Sequence, residues 1–255
     1  MSTLGVETFG TGKPNLVLLH GFSQTGESWR LLANRFAAYH QVSLVDLPGH
    51  GTTTARPANL DEAGRLIADA STDSVIIGYS MGARIALHAG LQQDQRLKGL
   101  VLIGAHPGIL DDAERRNRRE TDEELASRIG EIGVEKFIEE WLNQPMFAGV
   151  RDLDHQDRLR NSSDGLAYAL RTLGTGNQRV LDTELAGLTL PVLVLAGDRD
   201  LKFLALTERF RHCLKSVTID TIPNSGHACH LEQPDATCKT IDAWLENLRD
   251  SNSHR

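Results

Sequence analysis

Short apolar runs alternate with longer stretches of amphipathic spacing along most of this chain. Residues Asn15–His20, Gln41–Asp46, Ser74–Tyr79, Gly99–Gly104, Pro191–Gly197 and Ser216–Ile222 are brief, rich in Val, Leu and Ile, and bounded by turn-forming residues. That is the signature of strands buried on both faces. Glu27–Tyr39, Leu60–Ala70, Met81–Gln92, Phe203–Cys213 and Pro234–Leu248 carry apolar residues at helical spacing. Strands alternating with helices in this way predict a doubly wound, mostly parallel sheet covered on both faces, with ligands at the carboxyl ends of the strands.

The alternation stops between His106 and about Leu190, where the chain is charged and reads as helix and loop. Thr121-Asp122-Glu123-Glu124 has the form of a capping box opening one helix, and Val134–Leu142 and Gly165–Leu173 read as two more. The expected organisation is a core of residues 1–105 and 191–255, with residues 106–190 inserted as a helical cap over the strand ends.

Composition narrows the class. A chain of 255 residues, 40% hydrophobic and 24% charged, has the profile of a soluble globular protein and no apolar run long enough to span a membrane. The first residues lack the basic and apolar regions of a signal peptide, and Cys213, Cys229 and Cys238 do not suggest a disulfide framework. Both point to the cytoplasm. A net charge of −7 argues against nucleic acid or an anionic membrane surface as partner, so an anionic ligand must be caught by a local basic cluster. No ligand-spaced cluster suggests a metal, and Gly10-Thr11-Gly12-Lys13 lacks the rest of a phosphate loop. The expectation is therefore no cofactor.

The chemistry centres on Gly78-Tyr79-Ser80-Met81-Gly82, which sits between a predicted strand and a predicted helix. In that context G-x-S-x-G is a nucleophile elbow, and the partners of its serine follow in the order acid, then histidine. Gly197-Asp198-Arg199-Asp200 offers two acids after a late strand. Asp200 is the candidate and Asp198 a turn residue. Asn224-Ser225-Gly226-His227 offers the histidine, with His230 as its rival. A serine becomes reactive when a histidine accepts its proton and a carboxylate orients that histidine, so Ser80, Asp200 and His227 form the expected triad. His20-Gly21-Phe22 follows the first long strand, and its Phe22 N–H, with that of Met81, is suited to an oxyanion hole. Arg84, one turn beyond Ser80, shares its helix face. The run Glu114–Glu120 and Arg160 are basic features with no role assigned by spacing alone.

The motifs Val45–Gly51, Gly78–Arg84, Gly104-Ala105-His106-Pro107-Gly108, Trp141-Leu142-Asn143-Gln144-Pro145-Met146-Phe147, Leu159-Arg160-Asn161-Ser162, Gly197–Phe203 and Gly226–His230 together resemble the 2-succinyl-6-hydroxy-2,4-cyclohexadiene-1-carboxylate (SHCHC) synthases of menaquinone biosynthesis. These are members of the α/β-hydrolase superfamily, and the resemblance runs almost the whole length of the chain. Ala83 stands where a glycine is usual. The resemblance implies an α/β-hydrolase fold, a Ser80–Asp200–His227 triad, and Tyr79, Arg84, Arg118, Trp141 and Arg160 around the substrate, with Arg115 or Arg119 as alternatives to Arg118. It implies a carbon–oxygen lyase that removes pyruvate from 2-succinyl-5-enolpyruvyl-6-hydroxy-3-cyclohexene-1-carboxylate, with Ser80 as base. That small-molecule tricarboxylate would be its partner. The residues by themselves leave open a serine carboxylesterase, lactonase or C–C bond hydrolase with the same triad, and a non-catalytic receptor that closes over a small ligand.

Overall fold

A computed structural model describes residues 3–92, 96–150 and 156–253, the side chains of 251–253 excepted. Seven strands form one sheet: β1 (Gly5–Phe9), β2 (Asn15–Leu19), β3 (Val42–Asp46), β4 (Ser74–Tyr79), β5 (Leu97–Ile103), β6 (Val192–Gly197) and β7 (Val217–Ile222). Their order is β1-β3-β2-β4-β5-β6-β7; β1 runs antiparallel to β3 and every other pair is parallel. The register aligns Leu18 with Ile77, Gly78 with Leu102, and Leu102 with Val194, so the strands end along one edge.

Side chains alternate across this sheet with the period of two that a pleated strand imposes. Leu18, Ile77, Val101, Ile103 and Leu195 face one layer, which packs on α1 (Arg30–Phe36) and on α9 (Pro234–Ser253, helices being numbered along the chain). Leu19, Ile76, Leu100, Leu102 and Val194 face the other, which packs on α2 (Leu60–Ala70) and α3 (Met81–Gly90) and reaches Phe210 of α7 (Leu201–Cys213). Buried on both faces, the strands between the two edges read as nearly continuous apolar runs, which is why they stand out in the sequence.

Between β5 and β6 the described residues contain no strand. They form α4 (Asp112–Leu142), α5 (Ser163–Leu173), the short α6 (Asp182–Leu185) and three short 3-10 segments. Thr121 does not open a helix here: α4 begins at Asp112, capped by the Asp111 carboxylate, which accepts the Glu114 N–H at 2.7 Å. Thr121 instead turns its hydroxyl back to Asn117 O at 3.0 Å. Asp111-x-x-Glu114 has the spacing of a capping box, ten residues upstream, and the intervening charged residues are good helix formers. The helix expected at Val134–Leu142 is the second half of α4, set off by a break at Gly133 (φ 79°, ψ 168°) that ends one run of helical geometry and starts the next. Glu27–Tyr39 likewise divides into a 3-10 turn, Gly26–Trp29, and α1. The strand β1 was not expected from the sequence; five residues at an exposed edge carry little apolar signal.

Candidate active site

Ser80 occupies the turn between β4 and α3 with φ 52° and ψ −106°, a conformation few non-glycine residues adopt. The surroundings hold it there. Its N–H donates to Ile103 O at 2.8 Å, and a side chain at Gly82 would drive into Leu19 O and His20 O. Strand and helix meet this closely only with glycine at that position.

The Ser80 hydroxyl donates to His227 Nε2 at 3.1 Å, and the His227 Nδ1–H donates to Asp200 Oδ2 at 2.7 Å. Asp200 is doubly employed: its Oδ1 accepts the Phe203 N–H and so caps α7, which fixes the carboxylate that faces His227. His227 is buried, with Phe203 at 4.4 Å on one side and Tyr79 at 5.2 Å on another. Gly104 (φ 57°) lies directly beneath the ring, where a Cβ would approach Cε1 to 2.7 Å. Of the two competing acids, Asp198 is a loop staple: its carboxylate accepts the Asn224 and Ser225 N–H groups, which holds its pKa below the usual carboxylate range. The rival His230 is fully buried between Trp29 and Tyr79, 4.4 Å from each, and burial pushes its imidazole down to about 3.

The loop after β2 faces Ser80 from across the site. Gly21 N–H donates to Gln24 Oε1, and two buried histidines tie down the flanking backbone. His20 accepts the Leu47 N–H at Nε2 and His50 accepts the Ser23 N–H. Burial keeps both imidazoles well below their ordinary pKa, so they remain neutral and able to accept. Among the described residues nothing accepts the N–H of Phe22 or Met81, and both residues line the same cavity as Ser80 and His227.

That cavity, of about 440 Å³, is apolar toward Phe22, Leu125, Trp141, Phe147 and Leu170. It continues into a polar recess of about 160 Å³ beside Ser80, lined by His106, Asn117, Thr121 and Thr175. Four basic side chains border it: Arg84, Arg118, Arg158 and Lys202. Arg84 is almost fully buried, donates from Nη1 to Leu173 O at 2.7 Å, and is pulled below its usual pKa first by burial and then by Arg118. Arg118 donates from Nε to the buried Asp122 at 2.9 Å, leaving its Nη groups outside that bond. In the basic run the other two candidates point away: Arg115 pairs with Asp112 and Arg119 donates to Gly176 O. Tyr79 and Trp141 both line the cavity, and Trp141 packs edge-on against Phe22 at 5.2 Å.

Arg160 is the expected residue that the structure does not bring to this cavity. It is exposed and borders an outer groove with Glu7 and Glu27. Residues Gln156–Arg160 form a 3-10 turn, in which positions two apart face different ways, so Arg158 turns inward as Arg160 turns out. The signal missed in the sequence is thus Arg158, the first arginine of the Arg158-Leu159-Arg160 triplet. Lys202, in the first turn of α7 just past Asp200, was also passed over, although it lies inside the Gly197–Phe203 motif. Among the described residues no group of His, Cys, Asp and Glu is placed to hold a metal ion, and no helix is long and apolar enough to cross a membrane.

Residues 16–240 match the Alpha/beta hydrolase family. A protein of Photorhabdus laumondii subsp. laumondii named 2-succinyl-6-hydroxy-2,4-cyclohexadiene-1-carboxylate synthase is 35% identical over 91% of this chain and 86% of its own length. A Bacillus subtilis protein named as a putative enzyme of the same kind is 32% identical over 91% and 90%. The solved structure of MenH from S. aureus superposes with a TM-score of 0.88 at 27% identity, covering 96% of this chain and 98% of that one. A thermophilic esterase from Thermogutta terrifontis, malate bound, shares the fold at a TM-score of 0.76 and 24% identity, covering 96% and 93%.

Proposed function

The chain belongs to the alpha/beta hydrolase family and, within it, to the SHCHC synthases of menaquinone biosynthesis, and from that premise we propose that it is the lyase that eliminates pyruvate from 2-succinyl-5-enolpyruvyl-6-hydroxy-3-cyclohexene-1-carboxylate. The observation that carries this reading is the convergence of Arg84, Arg118, Arg158 and Lys202 on the cavity that holds Ser80. The substrate bears a ring carboxylate, a succinyl carboxylate and an enolpyruvyl carboxylate. Guanidinium groups suit such partners because each binds a carboxylate bidentately. A neutral ester offers no carboxylate to the two most deeply buried of these cations, Arg84 and Arg158.

In this reading residues 106–190 are a helical cap on a core of residues 1–105 and 191–255, and the substrate bridges the two. Arg84 and Lys202 come from the core, Arg118 and Arg158 from the cap. Arg158 takes the place first expected of Arg160. Tyr79 and Trp141 close on the ring, and Trp141 belongs to the apolar wall with Phe22.

Ser80 Oγ passes its proton to His227 Nε2 and takes the ring proton next to the succinyl ketone. Asp200 holds the imidazolium that results. The electron pair left by that C–H bond moves onto the ketone oxygen, where the Phe22 and Met81 N–H groups receive the enolate. Collapse of the enolate shifts the ring double bond and breaks the carbon–oxygen bond to the enolpyruvyl group. The leaving enolate takes a proton, tautomerises to pyruvate, and leaves the conjugated diene. Ser80 forms no covalent bond in this sequence.

The test is to supply the enolpyruvyl substrate to purified protein and follow diene absorbance and pyruvate together, with p-nitrophenyl acetate in parallel. Stoichiometric diene and pyruvate, lost by several orders of magnitude in Ser80→Ala, is the expected result. Pyruvate no faster than the spontaneous rate, with brisk ester cleavage and a covalent acyl-Ser80, would make the protein a hydrolase.

A further inference from the structure

Ser23 follows the proposed oxyanion donor Phe22 and has no part in the chemistry above. It is completely buried, and its φ of 68° lies where an L residue persists only when its neighbours hold it. Each of its polar groups is engaged by a different element. Its N–H donates to His50 Nε2 at 3.1 Å, and its carbonyl accepts from Asn161 Nδ2 at 2.9 Å. Its hydroxyl accepts from Arg158 Nη1 at 2.5 Å.

The first two bonds hold the loop in its overall path. His50 is itself anchored through Nδ1 to Pro48 O, and Asn161 also accepts the Gly51 N–H, so the loops after β2 and β3 are laced together without the hydroxyl. The Oγ–Arg158 bond adds something different. It links the oxyanion loop to a cation that lines the substrate cavity and is 2% exposed. An anion that fixes the Arg158 guanidinium therefore also fixes Ser23, one residue from the N–H on which charge develops.

We propose that Ser23 is a positioning residue that couples a substrate carboxylate on Arg158 to the placement of the Phe22 N–H. Through it, binding energy from a part of the substrate remote from the breaking bond is expressed in turnover as well as in affinity. The coupling rests on the lyase reading for the identity of its anion, and on the geometry alone for the link.

The experiment is a double-mutant cycle of Ser23→Ala and Arg158→Met, assayed by pyruvate release. Amide hydrogen exchange at residues 21–24 is measured on the same proteins without substrate. Because His50 and Asn161 still hold the backbone, Ser23→Ala is expected to fold; Ser23→Gly, which also relieves the positive φ, is the second variant. Ser23→Ala should lower kcat about tenfold or more, the scale of a displaced oxyanion donor, and leave KM within about twofold. In the Arg158→Met background it should lower kcat no further, and exchange at Ser23, whose N–H is bonded to His50, should quicken equally in both single variants and the double. A kcat within about twofold of wild type, or effects that multiply in the double variant, would overturn the coupling. If the wild type releases no pyruvate, the lyase reading falls and the exchange measurement still decides: quickened exchange in Ser23→Ala supports the link, and unchanged exchange refutes it.

Discussion

Replacing Gly104 by Ala tests how tightly the site is built. The new Cβ would lie 2.7 Å from His227 Cε1 and 3.0 Å from Nδ1, whereas ordinary contacts start at 3.4 Å. The imidazole must therefore retreat by about 0.7 Å, and Phe203 at 4.4 Å and Tyr79 at 5.2 Å limit where it can go. Any retreat lengthens the 2.7 Å bond to Asp200 or the 3.1 Å bond to Ser80. A displacement approaching 1 Å in a positioned catalytic group costs about 10²-fold, so kcat should fall by roughly 30- to 100-fold. The φ of 57° adds about 1–2 kcal/mol of backbone strain for a residue with a side chain, partly offset by the lower entropy of the unfolded chain. The melting temperature should fall by roughly 2–6 °C. The assays are pyruvate release under saturating substrate and a thermal melt by circular dichroism. A kcat within about threefold of wild type would mean that His227 has room to move, and the argument from close packing would be wrong.

Three other outcomes follow from the same coordinates. Gly130, on the exposed face of α4 with nothing within 4 Å of a Cβ, should accept Ala with a gain of about 0.5–1 kcal/mol and no change in kcat; a lower melting temperature would contradict this. Arg158→Met should lower kcat/KM by about 30-fold or more, while Arg160→Met stays within about twofold; the reverse order would restore Arg160 as the substrate residue. Acid should destabilise the protein well above the carboxylate range. Burial pushes His20 down to about 4 and His106 and His230 down to about 3, against 6.5 unfolded, so the folded chain binds fewer protons below pH 6.5. The stability present above that pH is lost as it falls toward 4, by up to about 1.4 kcal/mol per pH unit for each ring. A melting temperature that stays level from pH 7 to pH 5 would refute this.

What could be read from the chain and what could not follows the physics of each element. The five central strands and α2 were legible because double-sided burial and amphipathic spacing leave a strong pattern in few residues, and the edge strand β7 because Val217, Thr218, Ile219, Thr221 and Ile222 are β-branched. Ser80, Asp200 and His227 were legible because each follows a strand at a short fixed spacing, and the parallel register brings those strand ends to one edge. The β1 strand was not, since an exposed edge strand has no buried face to mark it. Between β5 and β6 the reading was weakest. There one helix of 31 residues has two stretches with the spacing of a capping box, and only tertiary packing decides which begins it. The orientation of Arg158 against Arg160 depends on a single 3-10 turn, which charge pattern does not encode.

The basic side chains also explain why a triad is insufficient to name the reaction. Ser80, His227 and the two free N–H groups would serve a nucleophilic serine as well as a basic one. What differs is which atom of the substrate is held above Ser80 Oγ, and that is governed by where the carboxylates must go. Arg84 and Arg118 repel one another, and Asp122 behind them offsets this: burial holds its carboxyl above the usual range, against the pull of Arg118. Asp122 stands outside the cavity lining, so it neutralises the pair without occupying the space a substrate carboxylate needs. On the lyase reading, substrate anions enter a site whose like charges are held together in advance, so that little reorganisation need accompany binding. The rigid lower half of that arrangement is the sheet edge with Ser80. The upper half is α4 with Arg118 and the turn with Arg158, so on the lyase reading the charge pattern that would favour elimination over ester cleavage is shared between the helices flanking the sheet, with Arg84 and Lys202, and the residues between β5 and β6.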